Sequence, residues 1–130
     1  IICIGNRYVN EDTAGPAVHD RLMEGRLPAG IEVIDGGVAG LNLLRFVEGA
    51  ERVVFVDRVS GFVDTDSVVV LETDDIARAS APGYDHAAGL PYLLRVLAEI
   101  RASNLPQIFL VGIEGVPKQE TVSRAAYIAL

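Results

Sequence analysis

The stretch Val53-Val54-Phe55-Val56-Asp57 decides how this chain is read. Four unbroken apolar residues form a strand buried on both faces, as in a parallel sheet covered by helices. A one-sided sheet would instead alternate apolar and polar residues. The acid that closes the run is costly to place there unless it is paired or reaches a cleft. Asp57 is therefore the first candidate functional residue, expected as an exposed carboxylate at a strand end.

Upstream, the same alternation of apolar runs and helical periods repeats. Ile1–Ile4 is a short strand closed by Gly5-Asn6. From Asp12 to Met23 the residues Ala14, Val18 and Leu22 fall four apart, with Ala17 beside them, on one face of a helix. Asp12 or Thr13 is placed to cap it, Pro16 is tolerable in its first turn, and Gly25 and Pro28 stop it. Ile31–Ile34 is a second strand, ended by Asp35-Gly36-Gly37; Leu41, Leu44 and Val47 then space a short helix that closes at Gly49.

Downstream, Val68–Leu71 is a fourth strand. The ten-residue link over 58–67 is too short for a crossover helix, which predicts antiparallel pairing. After a loop with Pro82-Gly83, the residues Leu90, Leu93, Leu94, Leu97 and Ile100 mark an amphipathic helix. Ile108–Val111 is the last strand and Thr121–Leu130 a closing helix. The order β-α-β-α-β-β-α-β-α predicts an α/β fold. It is a three-layer α/β/α domain with a mostly parallel, twisted five-stranded sheet and one antiparallel strand. Residues 1–130 read as a single domain. The chain opens without Met and stops inside a helical pattern, so further residues are expected at both ends.

Composition narrows the function. Eleven Lys+Arg against 18 Asp+Glu give a net charge of −7, which lacks the footprint of nucleic-acid binding and is repelled by anionic lipid. The longest apolar run is six residues, Ala125–Leu130, where a spanning helix needs roughly 20. One cysteine, Cys3, excludes an internal disulfide and any Cys-x-x-Cys metal knuckle, and it reads as a core thiol. A compact cytoplasmic domain with no nucleic-acid or membrane partner is expected.

Open parallel sheets bind ligands at the carboxyl ends of their strands. The polar residues placed there are Asn6, Glu11, Asp12, Asp35, Asp57, Glu114 and, before the long helix, Asp85 and His86. This oxygen-rich set with one imidazole suits a divalent cation better than a phosphate, which calls for Lys or Arg. No Gly-x-Gly-x-x-Gly, Walker loop, Gly-x-Ser-x-Gly elbow or His-Glu-x-x-His is present. Asp35 reads as a turn former, Glu114 as a solvated carboxylate and His19 as a surface histidine.

In series, Gly5-Asn6, Glu11-Asp12-x-x-Gly15, Asp35-Gly36-Gly37-x-x-Gly40, the strand ending in Asp57, and His86-x-x-Gly89-Leu90 resemble the nickel–iron hydrogenase maturation endopeptidases. The resemblance implies an enzyme that removes a C-terminal extension from a nickel-loaded hydrogenase large-subunit precursor. It implies that Asp12, Asp57 and His86 gather around one metal position as catalytic and metal-binding residues, with nickel supplied by the substrate. Asp12 is preferred to Glu11 because it stands three residues before Gly15. Val38 replaces the hydroxyl residue usual after the Asp-Gly-Gly of the family. Two other readings stand beside this one: a non-hydrolytic docking protein for metalloprotein assembly, and a small-molecule enzyme on the same fold.

Overall fold

The computed structural model describes residues 1–79 and 105–130. The helix expected over 90–100, and His86 before it, lie outside the described residues. Five strands form one sheet in the order β2-β1-β3-β5-β4. They are β1 (Ile2–Ile4), β2 (Ile34–Gly37), β3 (Arg52–Val59), β4 (Val68–Glu72) and β5 (Gln107–Glu114). All pair in parallel except β4, which runs antiparallel to β5. The expected sheet is the observed one.

The helices are α1 (Ala14–Met23), α2 (Leu44–Val47), α3 (Thr73–Ala79) and α4 (Gln119–Ala129), with 3₁₀ turns over Asn10–Asp12 and Gly40–Leu43. Helices α1 and α4 cover one face of the sheet, where Val18, Leu22, Val122 and Ala125 pack on Cys3, Val56, Val111 and Ile113. Leu43, Val47 and Ile76 cover the other face over Ile2, Phe55, Leu71 and Leu110. Strand β3 is thus buried on both sides, as its unbroken apolar run requires. Burying a side chain such as Phe55 contributes about 1.5–3 kcal/mol. Among the described residues no helix is long and apolar enough to cross a membrane.

Several boundaries differ from expectation. β2 is Ile34–Gly37, not Ile31–Ile34. Gly37 pairs with Ile4, and Gly36 falls in the bulge between Cys3 and Ile4, where a Cβ would lie tight, 3.0 Å from Ile2 Cγ2 and 3.1 Å from Cys3 O. β3 and β5 run past Asp57 and Val111, because parallel pairing from Arg52↔Gln107 to Val59↔Glu114 carries both strands on together. Helix α3 stands where a loop was expected. It starts with the acidic Thr73-Asp74-Asp75, followed by the buried Ile76, and seven residues are too few for a helical period to show in the sequence.

Gly15 sets the distance between α1 and the sheet. A Cβ there would lie 1.9 Å from Ile4 O, so only glycine lets the helix rest on β1. That contact aims the start of α1 at the carboxyl end of β1.

Candidate active site

Strand order places the crevice. From β1 the chain moves to β2 on one side, and then returns to β3 on the other side of β1. In doubly wound sheets the cleft opens where the order reverses, here between the carboxyl ends of β1 and β3. Asp12 follows β1 and Asp57 lies near the end of β3.

Gly5 turns the chain over that edge. Its φ of 145° is open to glycine, and a Cβ would sit 2.5 Å from Asp12 O. The loop can therefore fold back until Asn6 N–H donates to both Asp12 O (2.9 Å) and Asp12 Oδ2 (3.0 Å). This bond replaces the expected cap. Neither Asp12 nor Thr13 caps α1 with its side chain, and Thr13 Oγ1 donates instead to Asn10 O at 3.2 Å. Asp12 is half-buried, whereas Glu11 beside it is exposed.

Asp57 is not the exposed carboxylate that its position suggested. It is 9% exposed, because β3 continues beyond it and β5 lies alongside in register, Gly112 opposite Asp57. Its Oδ1 accepts the N–H of Arg58 at 2.7 Å, and Oδ2 has no hydrogen-bond partner among the described residues. Burial pushes the carboxyl up to about 7. The Arg58 N–H opposes the rise, the negative charge of Asp12 adds to it, and the Arg58 charge opposes it again. The lesser effect of Asp12 on Asp57 places the two carboxylates within electrostatic reach of one another. On the next residue, Arg58 Nε is buried and has no hydrogen-bond partner among the described residues.

The other polar residues at this edge have structural partners. Asp35 Oδ1 accepts Gly37 N–H at 3.2 Å, the turn-forming role expected of it, and Oδ2 also receives Arg7. Glu114, expected in solvent, is buried: Oε1 and Oε2 accept Gly61 N–H (2.9 Å) and Phe62 N–H (3.1 Å). It closes an apolar strand just as Asp57 does, and that signal could have found it. Asp66 was missed altogether. With φ 62° it accepts Lys118 N–H (2.8 Å) and Thr121 Oγ1–H (2.6 Å) at the start of α4. Those bonds, with the Lys118 ammonium, hold its carboxyl down to about 2. His19 is half-buried rather than solvent-facing, its Nδ1 3.1 Å from Asp20 Oδ1. Cys3 is fully buried as expected, its thiol pushed up to about 12 chiefly by burial.

Two of the three anticipated site residues, Asp12 and Asp57, thus lie at the same sheet edge within electrostatic reach of one another, while His86 lies outside the described residues. Among the described residues no three His, Cys, Asp or Glu side chains are grouped to hold a metal ion. The pair by itself offers hard oxygen donors. It also offers a carboxyl that titrates near neutrality, the property of a general acid or base.

Comparison with known proteins gives the following. Residues 16–124 match the family model described as HycI, hydrogenase maturation protease. The chain is 32% identical over 77 residues to the hydrogenase expression/formation protein HupD of Rhodobacter capsulatus, a match spanning 58% of this chain and 37% of that protein. In fold it is similar to the hydrogenase maturating endopeptidase HybD from E. coli (TM-score 0.76, 22% identity, 99% of this chain and 85% of that one). It is similarly close to the [NiFe] hydrogenase maturation protease HybD from Thermococcus kodakarensis (TM-score 0.75, 22% identity, 98% and 93%).

Proposed function

This chain belongs to the hydrogenase maturation protease family, and on that premise we propose that it is an endopeptidase acting on a nickel-loaded hydrogenase large-subunit precursor in the cytoplasm. It removes a C-terminal extension from that precursor. The observation that carries the reading is the pairing of Asp12 and Asp57 at the β1–β3 edge, close enough for one charge to act on the other. Two carboxylates at a switch-point cleft offer hard oxygen donors to a cation that arrives with the substrate.

In this reading Asp12 and Asp57, joined by His86, contact the nickel of the precursor. Three protein ligands leave coordination positions for the substrate itself. A nickel ion seated on those residues would supply Lewis-acid polarisation of the scissile carbonyl. Its positive charge would favour the ionised form of Asp57, whose carboxyl burial otherwise pushes up to about 7. Ionised Asp57 takes a proton from the attacking water as the hydroxyl adds to the carbonyl carbon. It returns that proton to the leaving nitrogen as the C–N bond breaks. Asp12 is held for its part by Asn6 N–H. Loading of the precursor with nickel thereby becomes a checkpoint, since an empty precursor brings no cation to the acid pair.

The test is cleavage of purified precursor, followed as a mobility shift over time with and without nickel loading. Wild-type protein is expected to process the loaded form alone. Asp57→Asn is expected to slow cleavage by orders of magnitude, because the lost interaction acts in the transition state. Wild-type rates from a folded Asp57→Asn variant would overturn the assignment. Tight binding of the loaded precursor by wild-type protein without cleavage would favour a docking module.

A further inference from the structure

Arg7 sits in the loop that carries Asp12. Residues 7–11 are all exposed, so no burial anchors the loop. Most of its hydrogen bonds are local: Tyr8 N–H to Asn6 Oδ1 (3.0 Å), Val9 N–H to Asn6 O (3.1 Å) and Asp12 N–H to Val9 O (2.8 Å). Arg7 alone reaches out. Its Nη1 and Nη2 donate to Asp20 Oδ2 (2.7 Å) and Oδ1 (2.8 Å) on α1. Its Nε and Nη2 donate to Asp35 Oδ2 (3.0 and 2.8 Å) on β2. Nη2 also lies 3.3 Å from His19 Nδ1. Among the described residues no other side chain of residues 6–12 makes a hydrogen bond or ion pair outside the loop.

Exposed ion pairs add little to global stability, so this clamp does not hold the fold together. What it fixes is geometry. The planar guanidinium spans three carboxylate oxygens on two elements, which a Lys ammonium cannot reproduce. Arg7 is bonded in sequence to Asn6, whose N–H orients the Asp12 carboxylate. We infer that Arg7 is a positioning residue: by tying the β1–α1 loop to α1 and β2 it holds Asn6 N–H, and through it the Asp12 carboxylate, in register with Asp57. The inference rests on the peptidase reading of that acid pair. A displacement of a reacting group by about 1 Å costs roughly 100-fold in rate, far more than the same slack costs in stability.

The experiment compares Arg7→Ala, Arg7→Lys and Asp20→Asn with wild type and with Asp57→Asn, all as full chains, on nickel-loaded precursor. Arg7→Ala is expected to lower kcat at least tenfold with KM within about twofold. Arg7→Lys should recover little of the loss, and Asp20→Asn should fall between. Hydrogen exchange provides a readout independent of catalysis: the Asn6 and Asp12 amides of Arg7→Ala should exchange at least tenfold faster while those of β3 and β5 stay protected. Millimolar guanidinium should restore part of the rate to Arg7→Ala and none to Asp57→Asn. Cleavage by Arg7→Ala within twofold of wild type overturns the clamp, as does a loss of rate that tracks exchange throughout β3 and β5. Should Arg7→Ala fail to fold, Asp20→Asn carries the same comparison. Normal cleavage by Asp57→Asn would instead sink the site assignment, and loop exchange would still judge the clamp.

Discussion

Replacing Asp57 by Asn should make the free protein more stable, and only above mildly acidic pH. The folded carboxyl titrates at about 7 against an ordinary 3.8, so the folded state resists ionisation that the unfolded chain accepts. The sign follows directly. Below pH 4 both states hold the proton and no cost arises. Between about 4 and 7 the unfolded state ionises first and wild-type stability falls; above 7 the penalty is constant. At about 1.4 kcal/mol per pH unit it reaches about 4 kcal/mol as a ceiling, and relaxation of the cleft lowers this to about 2–3 kcal/mol. Asn keeps the acceptor for Arg58 N–H and carries no charge to bury. Asp20 and Asp66, both held down to about 2, titrate alike in the two proteins and cancel in the difference. Thermal melts by circular dichroism at pH 4, 6 and 8 measure it. The variant should match wild type at pH 4 and melt roughly 5–10 °C higher at pH 8. A difference that does not widen with pH would refute the account of Asp57 as a desolvated acid.

Three further outcomes test the scaffold. Gly15→Ala places a methyl 1.9 Å from Ile4 O, which α1 can relieve only by lifting off β1; a loss of at least about 3 kcal/mol is expected in urea denaturation, and a near-neutral change would contradict the packing. Glu114→Gln leaves one of the Gly61 and Phe62 N–H groups without its oxygen, a cost of about 1–3 kcal/mol by the same assay; full stability would return Glu114 to solvent. Cys3, buried and with its thiol at about 12, should resist iodoacetamide at pH 8 for hours and react fully in urea, whereas labelling within minutes of the native protein would show the β1 core to be open.

Much of the architecture is legible because burial writes directly into the chain. The run Val53–Val56 could only be a doubly covered strand, and the ten-residue link after Asp57 could only return antiparallel. What the sequence concealed lies where main-chain geometry outweighs side-chain pattern. Gly36 and Gly37 look like a turn, yet β2 runs through both, with Gly36 in a bulge beside Cys3 O and Gly37 paired with Ile4. Asp12 looks like a helix cap, yet Asn6 N–H claims its carboxylate. Glu114 looks solvated between two glycines, yet it holds the loop after β3. Asp57 was found by the cost of placing an acid after an apolar run, while its burial depended on the length of β5, which Gly112 disguised. Arg7 gave no signal at all, since its partners Asp20 and Asp35 lie 13 and 28 residues away.

The pairing of β1 with β3, Ile2 beside Phe55 and Cys3 beside Val56, also bears on the order of events during synthesis. The two acids stand on segments separated by α1, β2 and α2, and loop closure over that span precedes any contact between them. A growing chain that has emerged only as far as α2 presents Asp12 with nothing opposite it. The two acids face each other only once β3 has taken its place beside β1, so a partly made chain lacks the site that the proposed cleavage requires.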